Sequence, residues 1–347
     1  MNNPNELIIS EITKRFADKK EIITYLMDLL CVGKESVYRR INNQIPFTFQ
    51  EVVTIARDLG FSIDSVLVMD TGRRVFFDMP VNIAQSPNSI FIDKLEQGNI
   101  IMEKLARAKD LNIIAAINRM PLTLFPYETL FKFEYCLYLN SIGQIPLMSQ
   151  FSDIKIIPQI HDLHKKSAYY FNQLRNITCI VDSAAINGLI KEIQYFYRLG
   201  FISNEDMHVL QKELFELLAF CETIVRTGET KTGSAYSVYF SHFNLNSACI
   251  YYEYDDKLML QLWIYPESPI VIEDNHLMCD IQKRWLNSVI RKSTLISKSN
   301  DIMLIKQFRD IHYRISKLTD IKTMTAASLH ILHTIFGLFL LLWLKNP

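Results

Sequence analysis

The sequence is poor in chemical signatures. None of its six cysteines (Cys31, Cys136, Cys179, Cys221, Cys249, Cys279) forms a Cys-x-x-Cys pair. Neither a zinc ribbon nor a disulfide framework is therefore indicated, and buried, reduced thiols in a cytoplasm are the expectation. Net charge is also lacking: 37 Lys and Arg balance 37 Asp and Glu, which argues against bulk electrostatic affinity for nucleic acid or acidic membranes. The opening Met1-Asn2-Asn3-Pro4-Asn5-Glu6 lacks the charged-then-apolar pattern of a signal sequence. No Gly-x-Ser-x-Gly, His-Glu-x-x-His or Cys-His nucleophile pattern occurs, and the Gly228–Gly233 stretch lacks the Gly-Lys-Ser/Thr ending of a phosphate loop. No 34- or 40-residue repeat is found. These absences lead to the expectation of a protein that is not an enzyme and uses no cofactor and no metal.

What is present is apolar material. Hydrophobic residues make up 49% of the 347 positions and aromatics 12%, enough for sizeable cores in two or three domains and too much for a disordered chain. The most informative stretch lies near the N-terminus. Ile22, Ile23, Leu26, Leu29 and Leu30 fall at helical spacing between Lys20 and Leu30. Val32-Gly33 breaks the pattern, and Gly33 is expected to take the sharp-turn backbone angles that glycine accepts without steric cost. A second helix, Lys34 to Asn42, turns Val37 and Ile41 inward and leaves Lys34, Glu35, Ser36, Tyr38, Arg39 and Arg40 pointing elsewhere. That division suits a helix seated in the major groove of double-stranded DNA. Its inner face locks the helix down, and its outer face offers donors and acceptors to base edges, arginine to guanine and glutamate to cytosine.

A further helix follows Pro46. Thr48-Phe49-Gln50-Glu51 has the spacing of a capping box, Val52, Val53, Ile55, Ala56 and Leu59 supply an inner face, and Gly60 stops the helix. Leu7 to Phe16 forms an opening helix, and Ser62 to Leu67 one more short turn, giving five short helices around one core.

Residues 30–41, 47–51 and 56–64 together resemble the Cro/C1-type repressor fold, and most closely the BetR-type N-terminal domain of bacterial transcription regulators, over residues 5–69. The resemblance implies that Lys34, Glu35, Ser36, Tyr38 and Arg39 face the bases. It places Arg40, Asn42 and Asn43 near the sugar-phosphate backbone. Gly33 departs from the capping serine or threonine that many members carry. Charge over the region is balanced, with ten Lys and Arg against ten Asp and Glu in residues 1–75; only 34–40 is locally basic.

The expected fold is mainly α with a small α+β C-terminal part. Residues 1–69 form the helix-turn-helix domain, 70–89 a linker marked by Pro80 and Pro87, and 90–233 a helical regulatory or oligomerisation region. Within that region Ile113–Ile117 is a β-like run, and helices are expected near 90–109, 127–139, 156–175, 182–198 and 204–226. Residues 234–318 form an α+β unit, a three-strand antiparallel meander (237–243, 248–254, 258–265) with helices near 274–291 and 301–318 and a short strand at 294–297. The tail, 319–347, contains nineteen residues without formal charge from Ala326 to Leu344. They are read either as a helix docked on the protein or a second subunit, or as a C-terminal membrane anchor.

His161 and His164 stand one helical turn apart, a metal-ligand spacing without a third ligand, and are read as a solvated helix face. The stripe Tyr127, Phe131, Tyr135, Tyr138 is read as core. The functional expectation is a sequence-specific DNA-binding transcription regulator, cytoplasmic and homodimeric, with a C-terminal region that senses a small-molecule or protein effector or pairs subunits. The alternative is a protein-interaction module that uses the same helices, tail-anchored at the inner face of the membrane.

Overall fold

The computed structural model describes residues 3–16, 18–63, 86–144, 149–246, 248–265, 268–298 and 302–320. The chain divides into two units, Met1–Asp78 and Met79–Pro347.

The described part of the first unit contains four helices: α1 (Pro4–Thr13), α2 (Lys19–Leu30), α3 (Lys34–Ile41) and α4 (Phe49–Leu59). Asn3, Asp18 and Thr48 cap α1, α2 and α4 with their side chains, and Thr48 and Glu51 form the reciprocal capping box expected. The core is one cluster in which Ile8, Ile12, Ile22, Ile23, Leu26, Val37, Phe47 and Ile55 are buried. The fifth helix expected at 62–67 lies almost wholly outside the described residues, as do the tail from 321 and most of the linker. Ser86 and Pro87 are no linker: Ser86 caps the next helix and Pro87 opens it.

The second unit is built on a seven-stranded mixed sheet. Its elements in chain order are α5 (Pro87–Arg107), β1 (Leu111–Ile117), α6 (Glu128–Ser141), α7 (Pro158–Phe171), β2 (Ile177–Val181), α8 (Ala184–Arg198), α9 (Asn204–Thr227), β3 (Tyr236–Phe240), β4 (Cys249–Tyr254), β5 (Lys257–Tyr265), β6 (Ser268–Glu273), α10 (His276–Arg291), β7 (Thr294–Leu295) and α11 (Ile302–Ser316). The strand order is β6-β5-β4-β1-β2-β3-β7. β1, β2 and β3 run parallel, joined by helical crossovers, and all other neighbours pair antiparallel.

This corrects the sequence expectation in three ways. The chain combines α and β elements as expected, but its β part is a large sheet rather than a small C-terminal one, with eleven helices and seven strands among the described residues. Strands from 90–233 and from 234–318 share that sheet, so no boundary at 233 separates a helical region from an α+β unit. The antiparallel meander is β4-β5-β6, not 237–265, because β1 and β2 stand between β3 and β4. The tight turn at Asp255-Asp256 is where it was expected, with both residues at positive φ (43° and 63°).

One face of the sheet carries Ile113, Ile177, Tyr252, Tyr254 and Met259, packed with Leu105 and Leu174 beneath α5 and α7. Ile224 and Val225 of α9 cover Val238 on the same face. The opposite face takes α10, whose Lys283 lies over the Tyr251 ring and pairs with Glu253 at 2.7 Å. Away from the sheet, α6, α8, α9 and α11 share a large helical core.

Candidate nucleic-acid interface

α3 is the shortest of the described helices of the first unit, and Val37 sets its inner face. Val37 is fully buried, and Ile41 packs half-buried against the same core. The turn before it is made differently from the expectation. Gly33 has ordinary extended angles (φ −68°, ψ 154°) and serves as the N-cap of α3, without a side chain to bond the first turn. The residue in the left-handed region is Cys31, at φ 52° and ψ 42°, which ends α2.

The residues expected to read DNA fall into two groups. Lys34, Glu35 and Arg39 are exposed, and their side chains make no hydrogen bond or ion pair among the described residues. Tyr38 is 46% exposed, with the ammonium of Lys19 5.0 Å from its ring centroid. These four make an outward face of mixed charge with spare donors and acceptors.

The other four are occupied within the fold. Arg40 donates from Nε and Nη2 to the two carboxylate oxygens of Glu51 at 3.0 and 2.8 Å, and from Nη1 to the Ser36 carbonyl oxygen and to Ser36 Oγ. Both partners of the ion pair are largely covered, their side chains 11% and 15% exposed. Burial acts to raise the Glu51 carboxyl, but the Arg40 hydrogen bonds and the Thr48 N–H outweigh it and hold the carboxyl below its usual range. Asn42 Oδ1 accepts from Lys19 Nζ at 2.7 Å. Asn43, in the left-handed region at φ 56°, accepts from Asn5 Nδ2 at 2.7 Å and donates to Glu6 Oε1 at 3.0 Å. Arg40, Asn42 and Asn43 thus fasten α3 to α4, α2 and α1. Ser36 belongs with them through its bond to Arg40.

Sequence reasoning missed two participants. Lys19 adds a cation beside Tyr38, and Glu51 sets the tilt of α3 through Arg40. Glu51 carried a signal, since a capping-box glutamate has a second carboxylate oxygen free for a cation. Lys19 carried none.

Elsewhere, the His161-His164 pair does not form a solvated face. His161 reaches Glu128 at 3.0 Å, whereas His164 is buried, stacks on Phe131 with ring centroids 3.7 Å apart, and bonds through Nε2 to the Phe125 carbonyl. No three candidate ligands come together as a metal site among the described residues. The aromatic stripe behaves as core: Phe131, Tyr135 and Tyr138 are buried around Phe91. Among the described residues, no helix is long and apolar enough to cross a membrane; the segment 326–344 lies outside them. Comparison with known proteins matches the chain to no protein family, no curated protein and no solved structure.

Proposed function

We propose that the protein is a sequence-specific double-stranded DNA-binding transcription regulator, with residues 1–69 folded as a Cro/C1-like helix-turn-helix of the BetR type. The observation that carries this reading is the division of labour on α3. Val37 anchors the helix, Arg40 clamps it to α4, and Lys34, Glu35, Tyr38 and Arg39 are left with outward-facing polar groups. A helix that merely packed would have less reason to keep a lysine, a glutamate and an arginine unpaired side by side. An α-helix so presented fits the major groove, where arginine matches the paired acceptors of guanine and glutamate accepts from cytosine. Phosphate contacts come from the margins of this face, where Lys19 lies beside Tyr38.

One short reading helix spans only a few base pairs. The proposal therefore includes a homodimer on two half-sites about one helical turn apart, acting in the cytoplasm where chromosomal DNA is reached. The second unit supplies pairing or effector response. Selection of binding sites by the full-length protein from a random duplex pool tests the reading. The expected result is an enriched repeat. Arg39→Ala should then lose about 1–3 kcal/mol, or 5- to 150-fold, on the preferred sequence and relax its preference at one position. Failure to enrich any sequence, together with capture of a protein partner that Arg39→Ala abolishes, would replace DNA binding by a protein-interaction role.

A further inference from the structure

The central strands of a helix-covered sheet ought to be its driest part. Here they are not. In the second unit, Ile117, Cys179, Val181, Phe240 and Ile250 are only half-buried, although each stands on β1–β4 with a strand on either side and helices above. The cause is a cavity of about 590 Å³ over that face. Register explains it. Side chains in one row across the sheet run Gln261, Ile250, Ala115, Cys179, Val238, and the middle of the row is small. α5, α7 and α9 rest on larger residues to either side and bridge the gap. Phe125, Phe171, Phe220 and Trp263 complete the wall.

The polar groups of the lining define what could enter. Asn187, near the start of α8, donates from Nδ2 to the Ser183 carbonyl at 2.8 Å, which fixes the amide orientation. Its Oδ1 is buried and has no partner, so it is closed off from the cavity. On the opposite side Gln261 accepts from the Tyr252 hydroxyl at 2.6 Å, which leaves its amide N–H donors to the cavity. Among the described residues, no charge is free inside. Both oxygens of the buried Asp182 carboxylate are taken, by the backbone N–H of Ala184 at 2.8 Å and of Leu245 at 2.7 Å. Lys94 and Glu134 each have partners. Arg119, paired with Glu192 at 3.4 Å, Asp310 and Arg314 are exposed at the rim. The cavity thiols Cys179 and Cys221 are pushed up to about 12 by burial, which suits a wall and not a nucleophile. The size is that of a small-molecule site, and an ionic ligand would be left without a counter-charge.

We infer that this cavity binds a neutral, largely apolar small molecule. Its body covers the half-buried row over β1–β3. The inference stands whether or not α3 reads DNA.

The probe is N-phenyl-1-naphthylamine, neutral, apolar and bearing one N–H, titrated into the full-length protein and followed by its fluorescence and by energy transfer from tryptophan. Saturable binding of one probe per chain is expected, with a dissociation constant on the order of micromolar. Ala115→Phe, which fills the middle of the row, should weaken binding at least tenfold. Should Ala115→Phe not fold, as judged by circular dichroism, Cys179→Leu replaces it. Absence of saturable binding, or binding unaltered in a folded cavity-filled variant, overturns the cavity as a ligand site.

Discussion

Replacing Arg40 separates a clamp from a DNA contact. In the structure its guanidinium spans Ser36 and Glu51, and the two carboxylate bonds are 3.0 and 2.8 Å long. Arg40→Met keeps the aliphatic stem and removes the fork. Glu51, 15% exposed in the intact pair, is then left with Thr48, whose N–H lies at 2.8 Å. A fully buried pair broken in this way costs about 3–5 kcal/mol. Residual access to water lowers that here, and a loss of about 2 kcal/mol is expected. Glu51→Gln should lose a comparable amount, and the double variant less than the sum, with a coupling of about 1–2 kcal/mol. The assay is urea unfolding of the 1–78 fragment followed by far-ultraviolet circular dichroism, because every tryptophan (Trp263, Trp285, Trp343) lies in the other unit. Acid gives a second readout. The folded Glu51 carboxyl lies below its unfolded value, so its contribution is complete above about pH 4.3 and is lost as pH falls through the lower folded value. The Arg40→Met variant should lose that acid sensitivity. A coupling near zero, with unchanged unfolding and a uniform fall in DNA affinity, would refute the clamp and return Arg40 to the phosphate backbone.

Gly33→Ser should stabilise the first unit by about 0.5 kcal/mol in the same urea assay, since φ is ordinary, an added Cβ meets nothing within 4 Å, and α3 gains a capping hydroxyl; a loss above about 1 kcal/mol would show that glycine is needed there. Cys31→Gly should also stabilise, by at most about 1 kcal/mol, because the left-handed residue is Cys31, and a destabilised variant would contradict that geometry. The second unit should weaken in acid through His164. Burial, which outweighs the bond to the Phe125 carbonyl, brings this imidazole down to about 4. Its contribution is therefore intact above about pH 6.5 and falls by up to about 3 kcal/mol towards pH 4. Tryptophan-monitored unfolding across that range should show the slope, and His164→Gln should flatten it.

The first unit was legible because its signals are local. The capping box at Thr48 and the spacing of Ile22, Leu26 and Val37 are features of a few adjacent residues, and the structure carries all of them. The exchange of roles between Gly33 and Cys31 was not legible, since a left-handed cysteine has no compositional mark. In the second unit, β1 announced itself by Ile113–Ile117. β2 did not, because Ile177–Val181 is a five-residue run between two helical patterns and shows no alternation. The meander was misassigned for a related reason: adjacency in sequence says nothing about the two strands inserted between β3 and β4. The same ignorance of register hid the cavity, whose small residues Ala115, Cys179 and Val238 are neighbours only once three strands are aligned. On α3, spacing placed Val37 and Ile41 inside as found, but it set Arg40, only 11% exposed, on the outer surface. It could not show that Arg40, Asn42 and Asn43 are bonded to residues on three other helices.

The strand order also has a consequence for how the chain comes to be folded during synthesis. β1 lies in the middle of the sheet, and the partner on one of its edges, β4, follows about 140 residues later, at Cys249–Tyr254. At about 5–20 residues per second on the ribosome, that edge, with Ile113, Ile114 and Ala116, stays unpaired for roughly 7–30 seconds after it emerges. The four helices of the first unit need no such wait, because their contacts close over short loops. A nascent chain thus carries a finished N-terminal unit tethered to an open, apolar strand edge, and ribosome-bound chains halted between 200 and 250 are where chaperone engagement should be greatest.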